Sequence, residues 1–347
     1  MQSVHPPKHS KLKGCLQILA RGFVGIVLLI VALAVVGYAY EHYASGRDMK
    51  RYPPPGRWIE INNHKLHLYC TGTGSPTVIL EAAAQSSSLD WGYVQPPIAQ
   101  LTRVCSYDRA GFGWSELDTG TQPRTAQREA NELHSLLLEA GEQGPYVLVG
   151  ASYGGHIVRL FAHDYPEQVS GVVLVDTRPE KLFSIPAIQQ QARSAFGPMR
   201  VIVFLGELGL SRPLIATIPE KMIPSAAVPL YESHPGSYEI VFQHKLWYAS
   251  YAEDQALETS DAQVAAIGPM GNTPLIVIRH GKPWTMFSSL PPQEAEEGEQ
   301  KWQAFQEEIA RQSSAGQIIV AEASGHGIQV EQPAIIVEAV QQLLKSP

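Results

Sequence analysis

Apolar and polar positions fall into two kinds of block along this chain. Short, almost wholly apolar runs lie at Thr77-Val78-Ile79-Leu80, Tyr146-Val147-Leu148-Val149, Gly171-Val172-Val173-Leu174-Val175, Pro274-Leu275-Ile276-Val277-Ile278 and Gln317-Ile318-Ile319-Val320. Runs of that length and composition predict strands buried on both faces. Arg103 to Tyr107 reads as another strand, and Trp91 to Leu101 as a helix. Arg57 to Ile61 and His64 to Cys70 flank Asn62-Asn63, a hairpin turn signal. Thr125 to Ala140 repeats apolar residues at helical spacing, and Gly141 stops it. Helices are also expected at about 296–313 and 334–345. Strands alternating with helices predict an α/β fold, a mostly parallel sheet covered on both faces.

Two regions break the alternation. Gly22 to Tyr40 runs 19 residues without a charge, long enough to cross a bilayer as a helix. A signal peptide with its cleavage site near Ala39 is the alternative. Lys8, Lys11, Lys13 and Arg21 precede the stretch; Arg47, Lys50 and Arg51 follow it. That near balance leans towards an inside N-terminus and an extracytoplasmic body. The polar segment after it, with Pro53-Pro54-Pro55, reads as a stiff linker. The second region, Lys181 to Ile267, is rich in proline, methionine and aromatics and reads as several short helices, placed where a lid over the sheet edge would sit.

Composition narrows the function. The chain has 347 residues, 44% of them apolar, enough for a large core. A net charge of -7 without basic clusters among aromatics argues against nucleic acid as a partner. Twelve histidines and three cysteines show no zinc spacing, so no metal and no cofactor are expected. Cys15 lies beside the apolar stretch, as a small apolar residue or a lipidation site.

The chemistry centres on Gly150-Ala151-Ser152-Tyr153-Gly154, which joins a strand to an amphipathic run from His156 to His163. Strand, Gly-x-Ser-x-Gly turn and helix form a nucleophile elbow, with the serine exposed at a helix N-terminus. A serine hydroxyl needs a base to take its proton and an acid to orient that base. His326, just after the last predicted strand, is the candidate base. The strand at 274–278 runs into Arg279-His280-Gly281, with no acid before Glu294. Asp176, ending the strand beside the elbow strand, is therefore the candidate acid, with Glu180 in reserve. Backbone amides of Tyr153 and Ala83 are the candidate oxyanion hole. Gly111-x-Gly113 follows a strand, but Glu116 stands where a third glycine belongs, so a dinucleotide site is not expected. Asp108 and Arg109 there are expected to hold a loop beside the site.

These motifs, with Asp108-Arg-Ala-Gly111-Phe-Gly113-Trp-Ser115 and Ser324-Gly-His326, resemble the α/β-hydrolase superfamily over about residues 57–347. The resemblance implies an eight-stranded sheet with an antiparallel second strand beside the fourth, and a helical cap between strands six and seven. It places Cys70 near Cys105, as a disulfide or as two buried thiols. Two departures stand out: Glu81-Ala82 where many relatives have His-Gly, and the acid moved to strand six. Serine at 152 sets the chain apart from the aspartate-nucleophile branches. The expected division is an N-terminal tail to 21, a transmembrane anchor over 22–40, a linker over 41–56, the hydrolase core over 57–180 and 268–347, and the cap over 181–267. The expected activity is hydrolysis of a lipophilic carboxylic ester by Ser152, Asp176 and His326. Acyl transfer, thioesterase or peptidase activity, or binding without catalysis, are the alternatives.

Overall fold

The computed structural model describes residues 9–212 and 223–345. Lys8 and the stretch 213–222 of the expected cap lie outside the described residues. Eight strands form one sheet in the order β1-β2-β4-β3-β5-β6-β7-β8. They span Arg57–Ile61, His64–Thr71, Thr77–Glu81, Val104–Tyr107, Tyr146–Ala151, Val169–Val175, Leu275–His280 and Gly316–Ala321. β1 and β2 pair antiparallel, as do β2 and β4, while β3 to β8 run parallel.

Alternation along the central strands builds two cores. Ile79, Leu148, Val172, Leu174 and Val277 face one side, where α3 (Ala126–Ala140) and α4 (Gly154–Asp164) cover them with Leu133, Leu136, Ile157 and Phe161. Val78, Leu80, Val149, Val173 and Ile276 face the other, against Ile336, Val340 and Leu343 of the C-terminal helix. Burying each such side chain contributes about 1.5–3 kcal/mol. α3 begins where the Thr125 side chain accepts the Arg128 amide at 3.3 Å, and ends at Gly141, φ +74°. The run from Trp91 to Leu101 forms only a short helix α2, Gln95–Ala99. Pro96 and Pro97 supply no amide hydrogens to lengthen it.

Between β6 and β7 the described residues are mainly helical. α5 (Pro186–Glu207), α6 (Val228–Glu232), α7 (Ser237–Val241) and α8 (His244–Ala266) lie there. After β7 come α9 (Pro292–Ala310), α10 (Ile328–Glu331) and α11 (Pro333–Lys345). Cys70 and Cys105, opposite one another across β2 and β4, form a disulfide.

The N-terminal helix α1 is long, His9–Arg51, and its apolar stretch leaves side chains such as Leu28, Leu29 and Leu33 exposed. It is long and apolar enough to cross a membrane. The helix also overruns the linker expected over 41–56: it remains helical to Arg51. Glu41, Ser45 and Asp48, spaced i, i+4 and i+7, form a buried polar stripe rather than a solvated spacer. Arg212 grips all three, at 2.5 Å from Glu41, 2.8 Å from Ser45 and 2.6 Å from Asp48. Polar composition concealed a helix whose partner is a cation distant in sequence.

Candidate active site

The functional side chains gather at the C-terminal edge of the parallel strands. Ser152 directly follows β5, and its φ of +48° is a left-handed conformation that only a tight surrounding structure sustains in a serine. The Ser152 amide donates to the Val175 carbonyl at 3.0 Å, and the Arg178 amide donates back to the Ser152 carbonyl at 3.0 Å. A side chain at Gly154 would put its Cβ 2.6 Å from the Ala82 carbonyl oxygen, so only glycine lets the helix start this close to β3. The serine hydroxyl thus stands at the N-terminus of α4.

Ser152 Oγ lies 3.0 Å from His326 Nε2, and His326 Nδ1 lies 2.6 Å from Asp176 Oδ2. His326 sits in a loop pinned to the end of β7 by the Gly281 and Lys282 amides, which donate to the Ser324 carbonyl at 3.1 and 2.9 Å. The Trp284 ring stacks on the imidazole at 3.9 Å between centroids, and Trp302 meets it edge-on at 5.7 Å. Asp176 also has a positive φ, +43°, and its amide donates to the Ile278 carbonyl at 2.6 Å. Glu180, the reserve acid, accepts instead from Arg159 at 2.8 Å.

Sequence reasoning missed a second histidine. His280, ending β7, places Nδ1 2.6 Å from the same Asp176 oxygen and Nε2 2.6 Å from Glu299 Oε1. Trp302 Nε1 donates to the other Asp176 oxygen at 3.0 Å. Burial alone would lower the His280 pKa, but the hydrogen bonds and charges of Asp176 and Glu299 raise it to about 9. Burial alone would raise Asp176; hydrogen bonds from His280 and His326 outweigh it and hold the carboxyl at about 2. Ligand atoms of Asp176, His280 and His326 lie within 4.8 Å of one another. Both His280 nitrogens face carboxylates, which accept only, so the ring is a double proton donor rather than a metal ligand. The signal was in the sequence: a histidine at the strand end where a carboxylate was sought.

A second charged cluster supports the neighbouring loop. Arg109 donates to Glu81 and to the Ala82 carbonyl, both at 2.8 Å, to the Ala83 carbonyl at 3.0 Å, and to Glu253 of α8 at 3.0 Å. Tyr107 donates its hydroxyl to Glu81. Burial pushes the Glu81 carboxyl up to about 7. Asp108 accepts the Ser88 and Trp114 amides at 2.6 and 2.9 Å.

Ser152, Tyr153, Ala83 and His326 open onto one cavity of about 620 Å³. Leu182, Ile188, Met199, Leu257 and Trp284 give it mostly apolar walls. Asp254 on its rim is pushed up to about 6 by burial and by the charge of Glu253.

The model of the alpha/beta hydrolase family matches residues 67–339. The uncharacterized protein YqjL of Bacillus subtilis is 26% identical over 265 residues, 76% of this chain and 82% of that one. A "Probable transporter efuK" of Hormonema carpetanum is 36% identical over 128 residues, 35% of this chain; the match spans only 18% of that protein's length. Among solved structures, a thermophilic esterase from Thermogutta terrifontis superposes with a TM-score of 0.58 at 20% identity, covering 84% of this chain and 98% of that one. With its family model matched over most of its length, and an eight-stranded sheet whose antiparallel second strand lies beside the fourth, the chain belongs to the alpha/beta hydrolase family.

Proposed function

We propose that the protein is a membrane-anchored serine hydrolase that cleaves a lipophilic carboxylic ester. One observation carries this reading: the continuous chain Ser152 Oγ, His326, Asp176, with links of 3.0 and 2.6 Å, at the base of an apolar cavity. Ser152 Oγ attacks the ester carbonyl carbon while His326 Nε2 takes its proton. Asp176, ionised throughout, stabilises the imidazolium. The Tyr153 and Ala83 amides receive the oxyanion, assisted by the N-terminal end of the α4 dipole. His326 then protonates the departing alkoxide. Water, deprotonated by the same histidine, attacks the acyl carbon, and His326 returns the proton to Ser152 Oγ as the acid leaves.

His280 and Glu299 act as positioning residues in this scheme. Asp176 and Glu299 each bring one negative charge and His280 one positive, so the cluster keeps the single net negative charge that His326 requires. The bridging cation also keeps the buried Asp176 ionised and aimed.

The anchor reading places α1 across a bilayer with the catalytic body on the extracytoplasmic side. The disulfide between Cys70 and Cys105 supports it, because such bonds persist in oxidising compartments. The slight excess of basic residues before the apolar stretch points the same way.

A fluorophosphonate probe tests the nucleophile. Wild type is expected to label and Ser152→Ala to remain unlabelled. Equal labelling of both, or none of a correctly folded wild type, would sink the serine-hydrolase reading.

A further inference from the structure

Helix α5 presents two chemistries at once. Its inner face lines the cavity with Ile188, Ala192, Ala195 and Met199, spaced i, i+4, i+7 and i+11. Its outer face changes along its length. Gln190, Arg193 and Ser194 are exposed and polar in the first half. In the last two turns Val201, Phe204 and Leu205 are exposed, at 56%, 61% and 38%, and Leu210 follows at 58%. Isolated exposed apolar residues need no explanation, but a contiguous group on one end of one helix does.

The position of that end supplies the explanation. It abuts α1 within the apolar stretch: a Cβ on Gly37 would lie 2.4 Å from the Leu208 carbonyl oxygen. Gly37 is three residues, roughly 4.5 Å of helix, before the stretch ends at Tyr40. Beyond it the Arg212 grip on Glu41, Ser45 and Asp48 locks the two elements together. The outer end of α5 therefore lies at the depth of the last turn of the span, not above it.

We propose that the apolar end of α5, Val201 to Leu210, embeds in the same bilayer leaflet that α1 crosses. This rests on the bilayer anchor of α1 and adds a second membrane contact. The wall of the Ser152 cavity then borders the acyl-chain region, as a site for bilayer-dissolved esters requires. Arg193 and Arg200 precede the apolar end on the same outer face, so the polarity of that face changes along the helix.

Site-directed fluorescence quenching tests it in the full chain. Single cysteines replace Val36, Phe204 or Ser194 in a Cys15→Ser background, and each carries a small environment-sensitive fluorophore. The protein is placed in phosphatidylcholine–phosphatidylglycerol vesicles containing lipids with nitroxides on their acyl chains. Position 204 is expected to be quenched about as strongly as position 36, several-fold more than position 194, and shielded from aqueous iodide. Iodide quenching at 204 with lipid quenching retained at 36 would overturn the proposal alone. Iodide quenching at 36 would overturn the anchor and the proposal together.

Discussion

At the ends of β6 and β7, buried Asp176 and half-buried Glu299 flank one cation, His280, with His326 lining the cavity. At the ends of β3 and β4, Arg109 and Arg124 are buried among Glu81, Glu129 and Glu253. Both clusters sit at the same edge of the same sheet, yet they are built for different ends. The first reaches a cavity through a partly exposed imidazole, 20% accessible, which leaves room for a proton to move. The second is almost fully buried, reaches the cavity wall only at Glu253, and joins the sheet to α8 through that residue. Burial, and next the charge of Glu253, push Glu129 well above the usual carboxylate range, because three acids share two cations there. In the proposed reading the first cluster serves chemistry, while the second fastens the sheet to α8.

Three substitutions separate these roles. Asp176→Asn leaves the geometry but removes the charge opposite His326, and kcat for ester hydrolysis should fall roughly 10⁴-fold, as for the acid of other triads. A near-normal rate would return Glu180 to consideration. Arg109→Met removes the cation that pairs with Glu81, Glu129 and Glu253 and should destabilise the fold by about 3–5 kcal/mol, read as a lower urea midpoint. A variant with unchanged stability and no activity would move Arg109 from the joint into the chemistry. His280→Gln should lower kcat by about tenfold, well below the effect of general acid–base groups, with KM little changed. An effect as large as that of Asp176→Asn would make His280 a full partner in the proton transfer.

The pH dependence of stability sharpens the contrast further. His280 is raised in the folded protein from 6.5 to about 9. The folded state therefore binds a proton that the unfolded state has released, and stability falls as pH rises through that window. Its contribution is fully present below pH 6.5 and gone above about 9. Unfolding midpoints measured across that window should slope downward in wild type and lose most of that slope in His280→Gln.

Much of this was legible in the sequence, for identifiable reasons. The apolar runs around Leu80, Val149, Val173 and Val277 are central strands, because burial on both faces forces such composition. The elbow was legible because a serine at φ +48° between close-packed layers demands its flanking glycines. The bridge of His280 to Glu299 was not, since it joins a strand end to a helix 19 residues on, and no periodicity marks it. The helical extension over 41–51 was also hidden. Its polar stripe has meaning only against Arg212, which only the folded chain brings near. Composition reports what a segment can bury; it does not report which distant charge will meet it.

Trapping the covalent intermediate tests the central claim most directly. Wild type is mixed with p-nitrophenyl acetate, quenched with acid within the first turnover and digested for mass spectrometry. A burst of p-nitrophenol matched by an acetyl group on the peptide containing Ser152 is the result expected. Steady turnover with no adduct, or an adduct on any other residue, would contradict the account.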